Sequence, residues 1–288
     1  MLLTATAGQW FATIDDLDDK FWLGDNRATV AKGLRAAMDT AVALRHRAGL
    51  KFVVAPLPAL DGASVRPLGS KYALAVFPFV RGSSGQFGAQ LSAADRRQRV
   101  EMLAALHHAS PAAAQAARFE IAVPRRSVLE SALSELDQPW RGGPYSERAR
   151  ALITQAAAHV GQLVTSFDRL AEHVRTLEPV VTHGEPHNAN LIQTGSGVLM
   201  IDWDTVGLAP PERDLWMVVS DSGGDEARHY TEITGRPIDP VALALYRTRW
   251  QLDDIAAFVH MFRATHDRTA EAEHMWQGMS DTLMRVQS

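Results

Sequence analysis

Polar side chains of the kinds that bind metal ions and move protons crowd one stretch of this 288-residue chain. The members of this set are His183, Glu185, His187, Asn190, Asp202 and Asp204. Asn and Asp side chains offer the hard oxygen ligands that Mg²⁺ prefers. A carboxylate such as that of Glu185 can accept a proton from an attacking hydroxyl group. These residue types therefore suit metal-assisted transfer of a charged group.

The sequence around these side chains predicts a hairpin that positions them. Two short apolar runs, residues 191–192 and 198–201, flank a Gly-containing turn at residues 193–197. This pattern predicts two antiparallel strands between Asn190 and Asp204. The polar residues before the first strand and the acids at the end of the second are then brought together in one small volume.

The segment from His183 to Asn190, HGEPHNAN, resembles the catalytic loop His-Gly-Asp-x-x-x-x-Asn of the aminoglycoside phosphotransferase family. A second set resembles the metal-binding segment of the same family: residues 201–204, Gly207, Pro210, Asp214 and Leu215. The step of seven residues from His183 to Asn190 and the step of twelve on to Asp202 agree with that pattern. The resemblance implies an α+β, protein-kinase-like fold of two lobes, with a small antiparallel β lobe and a larger, mainly helical lobe.

The resemblance also implies an activity. In it, the γ-phosphate of ATP or GTP moves to a hydroxyl of a small polar molecule, with aminoglycosides and related antibiotics as one acceptor class. Carried over to this chain, it gives catalytic roles to Glu185, Asn190 and His183, of which His183 braces the loop. Asn190, Asp202 and Asp204 would hold Mg²⁺. Positioning and charge neutralisation supply most of the rate in such reactions.

One residue departs from the family pattern. Glu185 stands where the family has Asp, and its extra methylene moves the carboxylate by more than about an ångström unless the backbone compensates. Misplacement on that scale can cost about a hundredfold in rate. Two hypotheses therefore stay open: an active phosphotransferase, or a catalytically weak or inactive relative that binds a nucleotide or another small ligand.

A zinc site is a third interpretation of the two histidines. A zinc-dependent hydrolase would use His183, His187 and Asp202. A spacing of four residues between two histidines serves zinc when both lie on a helix. Gly184 and Pro186 disfavour a helix at this place, so the sequence favours the magnesium site.

The N-terminal region is predicted to begin the small lobe with a hairpin of residues 2–6 and 10–14. In the resemblance the second strand carries the lysine that anchors the nucleotide, and Thr13 occupies that place. Lys20 is the nearest substitute, but it lies in an acidic run, and a solvated charge cluster is the favoured interpretation. Asp39, on the following predicted helix, would be the partner carboxylate, and its pair with position 13 is predicted to be lost.

Few residues precede this strand, whereas the resemblance implies another strand and a phosphate-covering turn before it. The sequence predicts either a chain that starts late or a nucleotide site with a reduced upper lobe. Residues 78–82 resemble the hinge between kinase lobes, so Phe77 and Phe79 are predicted walls of the adenine pocket. The Gly- and Ser-rich residues 82–90 are predicted to form the linker.

The predicted organisation is a nucleotide-binding lobe at residues 1–80, a hinge and linker at 81–91, and a helical lobe at 92–288 with the catalytic loop and acceptor site. Further strands are predicted at residues 52–56, 64–68 and 72–77. Helical periodicity predicts helices at residues 29–48, from 92 to before 111, and at 125–136, 146–177, 215–219, 242–262 and 270–286.

Acidic residues in the C-terminal part are predicted to face the acceptor. The resemblance implies that the C-terminal helices and one loop build the acceptor wall, and acids there suit a cationic substrate. The predicted substrate residues are Asp221, Asp225, Asp253 and Asp254. Asp214 has two interpretations, because it follows two prolines typical of a first helical turn and could also tie loops together.

Composition sets the outer limits. Hydrophobic residues make up 46% and charged residues 22%, which is ordinary for a globular protein with a large core. A net charge of −4 gives no reason to expect nucleic acid as a partner. Cysteine is absent, and no apolar run approaches the roughly 18 residues of a membrane span. A cytoplasmic protein is predicted, and its oligomeric state stays open.

Overall fold

The computed structural model describes residues 1–5, 8–220 and 222–285. Its strands are β1 (Leu2–Ala5), β2 (Gly8–Asp16), β3 (Arg66–Leu68), β4 (Tyr72–Pro78), β5 (Ser83–Ser84), β6 (Val180–Thr182), β7 (Leu191–Thr194), β8 (Gly197–Met200) and β9 (Gly207–Ala209). Its helices are α1 (Arg27–His46), α2 (Ala93–His108), α3 (Arg126–Ser134), α4 (Ser146–Val174), α5 (Glu212–Leu215), α6 (Asp225–Thr234), α7 (Pro240–Arg263) and α8 (Ala270–Arg285). Short antiparallel sheets beside long helices confirm the predicted α+β class.

The N-terminal sheet has the strand order β1-β2-β4-β3, and each neighbouring pair is antiparallel. The predicted N-terminal hairpin is confirmed as β1 and β2, and two later predicted strands are confirmed as β3 and β4. Thr13 lies opposite Ala75, and Asp15 lies opposite Ala73. Because side chains alternate between the two faces of a strand, these four residues share one face.

Helix α1 packs on that face of the sheet. It begins at a capping box, in which Asn26 and Thr29 each satisfy the other's backbone N–H. Leu34 and Met38 on its apolar side form a small core with Ala73 of β4. Helix α1 therefore packs on the same face of the sheet that carries Thr13.

The predicted hairpin that carries the polar residues is confirmed as β7 and β8. Leu191 pairs with Met200 at its open end, and Thr194 pairs with Gly197 at its closed end. Two residues, 195 and 196, are left for the turn, which is the commonest hairpin length. The strands thus run closer to the turn than the sequence predicted.

The Gly- and Ser-rich stretch predicted as a linker is in part a strand, because β5 pairs with β7 and sets Ser83 opposite Gln193. A Cβ added at Gly82 would lie 2.2 Å from the carbonyl oxygen of Gln193. One added at Gly85 would lie 2.9 Å from the carbonyl oxygen of Asn188. These glycines therefore serve close backbone approach to the hairpin rather than flexibility.

The prediction of a strand at residues 52–56 is wrong. Val53 makes one isolated parallel bridge with Met200. The N–H of Val54 donates to the carbonyl of Met200 at 2.9 Å, and the N–H of Met200 donates to the carbonyl of Phe52 at 2.7 Å. Pro56 has no N–H with which to extend a ladder. The apolar run is explained by burial in the core instead.

Contacts divide the chain into two compact units, residues 1–119 with 177–243, and residues 120–176 with those from 244 onward. The larger core of the first unit joins residues distant in sequence: Leu44, Leu103, Met200, Leu215 and Tyr230. In the second unit, the core includes Tyr145, Ile153, Phe167 and Phe262. The division predicted at residues 80 and 91 stays a prediction.

The predicted long helices are confirmed with ends shifted by a few residues, and α6 is an additional helix. The helix predicted at residues 215–219 is misplaced, because the short helix α5 covers Glu212–Leu215. None of the helices in the described part of the chain combines the length and apolarity needed to cross a membrane.

Candidate active site

His183 follows β6 and is fully buried, with both ring nitrogens bound to backbone. Its Nε2 lies 2.8 Å from the carbonyl oxygen of Ile201, and its Nδ1 accepts from the N–H of Glu185 at 3.2 Å. Burial lowers the pKa of His183 below its ordinary value, so the ring is neutral. These contacts assign the donor to Nε2 and the acceptor to Nδ1. His183 therefore braces the loop against the end of β8.

The carboxylate of Asp214, in α5, fixes the backbone where the loop begins. It accepts from the N–H of His183 at 2.8 Å and from the N–H of Gly184 at 2.7 Å. His107 Nε2 lies 3.2 Å from the same carboxylate. Burial by itself raises the pKa of Asp214, but the hydrogen bond from His107 and nearby positive charges lower it below its ordinary value. Asp214 thus both belongs to a helical turn and ties the loop, so both interpretations hold.

Gly184 allows the loop to pass close to a buried arginine. Its φ is +102°, a conformation that residues with a Cβ rarely adopt. An added Cβ would also lie 2.4 Å from Nη2 of Arg213. Arg213 is buried and donates to Thr182 Oγ1 at 2.8 Å and to the carbonyl of Thr205 at 2.9 Å. Arg213 was not among the predicted site residues, and its only signal in the sequence was its place beside Asp214.

The hairpin brings Asn190 and Asp202 to the same end, as the sequence predicted. The N–H of Ile201 donates to the carbonyl of Asn190 at 3.0 Å. Asn190 Nδ2 in turn donates to the carbonyl of Glu185 at 3.0 Å. With that nitrogen engaged, the side-chain oxygen of Asn190 is the atom suited to a metal. Asp202 has a φ of +64°, which Asp tolerates better than most residues.

Lys20 is the main correction to the sequence analysis, which favoured a solvated lysine. Its Nζ lies 2.5 Å from Oδ2 of Asp204 and 3.0 Å from Oδ1 of Asp15, and only 15% of its side chain is exposed. The buried Leu17 within the same acidic run was the signal that this segment is packed rather than solvated. Lys20 therefore belongs to the site.

Carboxylates outnumber the lysine at this place. Despite burial, the charges of Asp204 and Asp15 raise the pKa of Lys20, and the charge of Lys20 acts in turn on Asp202. Partial burial, and then the charge of Asp204, raise the pKa of the Asp202 carboxyl to about 6. A carboxyl group with a raised pKa beside another acid gains from a nearby cation. The oxygen ligands of Asn190 and Asp202, together with this surplus of acid, fit a hard divalent metal ion such as Mg²⁺.

Glu185 combines a fixed backbone with an accessible carboxylate. Its N–H is bound to His183 and its carbonyl to Asn190, while 40% of its side chain is exposed. Its Oε2 lies 3.9 Å from His187 Nε2. Burial lowers the pKa of His187, whose ring packs edge-on to Phe87 with the centroids 5.1 Å apart. A neutral imidazole is therefore the neighbour of the Glu185 carboxylate.

The residues predicted to bind nucleotide lie along the N-terminal sheet. Thr13 Oγ1 donates to Asp15 Oδ2 at 3.2 Å. Asp39 instead accepts from Ser64 Oγ at 2.5 Å, so the contacts of both residues agree with the predicted loss of their pair. Phe77 is half-buried against the small core under α1. Phe79, two residues further on, is 37% exposed. Their roles at an adenine ring stay predictions.

The predicted acceptor residues fall in different parts of the chain. Asp221 lies outside the described residues. Asp225 begins α6, is largely exposed and forms an ion pair with Arg228. Asp253 and Asp254 lie on α7 in the second unit, where burial raises the pKa of Asp253 despite Arg249 at 3.8 Å. Their contact with an acceptor stays a prediction.

The zinc interpretation loses its ligands. Both ring nitrogens of His183 are engaged by backbone, which leaves none for a metal. Within residues 1–5, 8–220 and 222–285, no group of three or more His, Cys, Asp and Glu side chains is arranged to hold a metal ion. A site built from Asn190 and Asp202 needs fewer such residues.

Solved structures share this fold at low sequence identity. A spectinomycin phosphotransferase, APH(9)-Ia, solved with ADP and spectinomycin, is 17% identical and superposes with a TM-score of 0.75 over 100% of this chain and 88% of that chain. A microcompartment-associated aminopropanol kinase is 16% identical, with a TM-score of 0.63 over 99% of this chain and 87% of that chain. These similarities confirm the predicted kinase-like fold.

Sequence comparison identifies the family. Protein StrN of Streptomyces griseus is 26% identical over 255 residues, which cover 83% of this chain and 74% of that protein. The family model of the APH phosphotransferase enzyme family matches residues 6–250. This match includes the loop from His183 to Asn190, the hairpin and Asp214. The chain therefore belongs to the APH phosphotransferase enzyme family.

Proposed function

We propose that this phosphotransferase moves the γ-phosphate of ATP or GTP to a hydroxyl group of a small polar molecule, and that it requires Mg²⁺. The observation that carries this proposal is the placing of Asn190 and Asp202 at one end of the hairpin, beside more carboxylates than Lys20 can neutralise. The proteins of similar fold support a small-molecule acceptor, since spectinomycin and aminopropanol are named for two of them.

In this proposal the residues of the chain divide the work. Asn190 and Asp202 hold the metal, with Asp204 as a supporting acid. When bound, the metal neutralises phosphate charge and orients the phosphates. Glu185 orients the acceptor hydroxyl and accepts its proton, because its backbone is fixed while its carboxylate is accessible. His183 holds the loop and touches no reactant.

A thermal-shift titration with ATP and with GTP, each with and without Mg²⁺, tests the nucleotide site. A ligand that binds only the folded state must raise the melting temperature. We expect a shift with at least one nucleotide that depends on Mg²⁺, and none in Asp202→Ala. If neither nucleotide shifts the wild-type protein, the proposed function is wrong.

An acceptor screen tests the transfer itself. Release of ADP or GDP would be followed with aminoglycosides, spectinomycin and small amino alcohols, beside matched compounds without a free hydroxyl. We expect turnover with at least one hydroxylated, amine-bearing compound, because the predicted acceptor residues Asp225, Asp253 and Asp254 are acidic.

Since ATP and GTP are nucleotides of the cytoplasm, we place the reaction there.

A second candidate function is nucleotide or ligand binding with little or no turnover. Thr13 favours it, because a threonine bound to Asp15 supplies no charge to a phosphate. Nucleotide binding that depends on Mg²⁺, with no turnover over the whole panel, would support this candidate over the phosphotransferase.

A further inference from the structure

The segment between β2 and α1 is a built platform rather than a surface loop. Leu17 is buried, and its N–H donates to the carbonyl of Lys71 at 2.9 Å. Arg27, at the start of α1, binds both carboxylate oxygens of Asp18 at 2.6 Å. A Cβ added at Gly33 would lie 2.6 Å from a backbone carbonyl of this segment, so the segment packs closely on α1. Because Lys20 lies within this closely packed segment, its backbone is held in one place.

Lys20 connects the N-terminal sheet to the end of the catalytic hairpin. Thr13 donates to Asp15, Asp15 pairs with Lys20, and Lys20 pairs with Asp204, which lies 184 residues further along the chain. Side-chain exposure is 15% for Lys20, 16% for Asp15 and 8% for Asp204. An ammonium group buried to this extent is held where it is because both carboxylates offset its loss of hydration. Its place is therefore set to within hydrogen-bonding distance of the Asp202–Asp204 segment.

The ammonium group still has capacity for a third partner. An ammonium group carries three N–H donors. The carboxylates of Asp15 and Asp204 account for two of them. The ammonium group also lies 5.3 Å from the centroid of the Trp22 ring, which offers no lone pair to an N–H, so among the described residues the third donor is left for a phosphate oxygen. The polyphosphate of a nucleotide brings negative charge to a place where Asp15, Asp202 and Asp204 are already negative. A fixed cation at Lys20 lowers that repulsion directly.

We propose that Lys20 is the residue of this chain that supplies positive charge to the nucleotide phosphates, in place of a lysine at position 13 of strand β2. Asp15 and Asp204 act as positioning residues that hold its ammonium group. This inference rests on the proposed function, since it assumes a nucleotide at the hairpin end. It accounts for an active site with Thr13 on the strand.

The test compares ligands that differ only in their phosphates. Affinities for ATP, ADP and adenosine would be measured by calorimetry at fixed Mg²⁺ for the wild-type protein and for Lys20→Met. We expect ATP and ADP to bind about ten- to a hundredfold more weakly to Lys20→Met, the usual worth of a charged hydrogen bond, and adenosine to bind equally. A structural role alone would lower the melting temperature without ligand and leave the ratio of ATP to adenosine affinity unchanged, which would overturn the inference.

Lys71→Met is the matched control, because Lys71 also pairs with an acid of strand β2, Asp16 at 2.9 Å, but is 41% exposed. We expect its ATP affinity to equal that of the wild type. The double variant Thr13→Lys/Lys20→Met restores a cation beside Asp15. We expect it to recover at least half of the lost ATP affinity on a logarithmic scale.

A measurement on the unaltered protein covers the case in which Lys20→Met does not fold. Lysine methylation would be followed by mass spectrometry with ATP, with adenosine and without ligand. We expect ATP, but not adenosine, to slow the labelling of Lys20, with Lys71 unaffected. Equal labelling of Lys20 in all three samples would overturn the inference while leaving the proposed function intact. A wild-type protein that binds neither ATP nor GTP would overturn both.

Discussion

Two side chains of the candidate site, those of His183 and Glu185, differ in how far they are buried. His183 is buried and bound to backbone at both nitrogens, so it holds the loop in place. Glu185 has the opposite arrangement, with its backbone bound and its carboxylate partly exposed. The longer side chain of Glu185, compared with Asp, is thus carried by a backbone fixed at both its N–H and its carbonyl. This arrangement is the basis of the proposal that Glu185 accepts the proton of the acceptor hydroxyl.

Replacing Glu185 by Gln tests that assignment. The amide keeps the size of the side chain but cannot accept the proton, so we expect kcat to fall by about a hundred- to ten-thousandfold. Nucleotide affinity should stay unchanged, because the carboxylate is proposed to contact the acceptor. The exposed Glu172 of α4 provides a matched control through Glu172→Gln, which should keep full kcat. Equal kcat in Glu185→Gln and the wild type would remove Glu185 from the mechanism.

The pKa of Asp202 predicts a dependence of stability on pH. A carboxyl group whose folded-state pKa is raised from 3.8 to about 6 costs stability once it is ionised. Without metal and nucleotide, this cost appears as the pH rises from about 4 to about 6 and remains above it. Asp202→Asn should therefore melt higher than the wild type at about pH 8, and the two should melt alike near pH 4.

The size of this effect is limited, because Asp202 is only partly buried and still contacts solvent. Screening should hold the gain to about 1 kcal/mol or less. Melting would be followed in chelator across this pH range. Asp16→Asn is the control, since a hydrogen bond from Lys71 lowers the pKa of Asp16 and the sign of its effect is opposite. If Asp202→Asn raised the melting temperature equally at both ends of the pH range, the raised pKa of Asp202 would not be the cause.

At the scale of elements, the short helix α5 positions the loop that runs from His183 to Asn190. Asp214 binds the two backbone N–H groups at the start of the loop, and Arg213 packs under Gly184 while bound to Thr182 and Thr205. Two consecutive residues of one helical turn thus hold β6, the loop and the segment after β8 together. The loop conformation depends on the absence of a side chain at position 184.

Gly184→Ala should therefore destabilise the fold strongly. The new Cβ meets both an unfavourable φ and Nη2 of Arg213, so we expect a loss of more than about 2 kcal/mol in the free energy of unfolding. Gly195→Ala is the control, because a Cβ at Gly195 meets nothing within 4 Å. Urea denaturation would measure both variants. A Gly184→Ala protein as stable as Gly195→Ala would show that the loop has another accessible conformation.

At the scale of the whole molecule, both compact units are built from segments that are separated in the chain. The first unit needs residues 1–119 and 177–243, and its core places Leu44 and Leu103 in one cluster with Met200, Leu215 and Tyr230. Neither half of this core is complete without the other. Helix α1 links the N-terminal sheet to the hairpin, because its Leu34 packs with Ala73 of the sheet while its Leu44 packs in the same core as Met200.

A fragment of residues 1–119 is expected not to fold by itself. It exposes the apolar side chains that Met200, Leu215 and Tyr230 cover in the full chain. Calorimetry should show no cooperative thermal transition for the fragment and a clear one for the full chain. A fragment that melts cooperatively and binds ATP would show that the N-terminal region is an independent domain.

The hairpin of β7 and β8 could be predicted because its signals are local. Two apolar runs around a Gly-containing turn specify β7 and β8, and the order of His183, Asn190 and Asp202 specifies the family motif. The same local reasoning failed at residues 52–56, where an apolar, β-branched run is buried in the core without a ladder partner. At residues 82–90 it did not predict β5 or the close packing of Gly82 and Gly85 against the hairpin.

The sequence by itself determined the family, the α+β class, the hairpin and the residues at its ends, because each depends on motif order or on periodicity within a few residues. The tertiary structure decided that Lys20 is the cation beside the residues at the end of the hairpin. Lys20 and Asp204 are 184 residues apart, and their contact depends on the packing of α1 and of the segment before it. The contacts of Arg213 with Thr182 and Thr205 were decided in the same way, because they join segments that local periodicity and motif order do not relate.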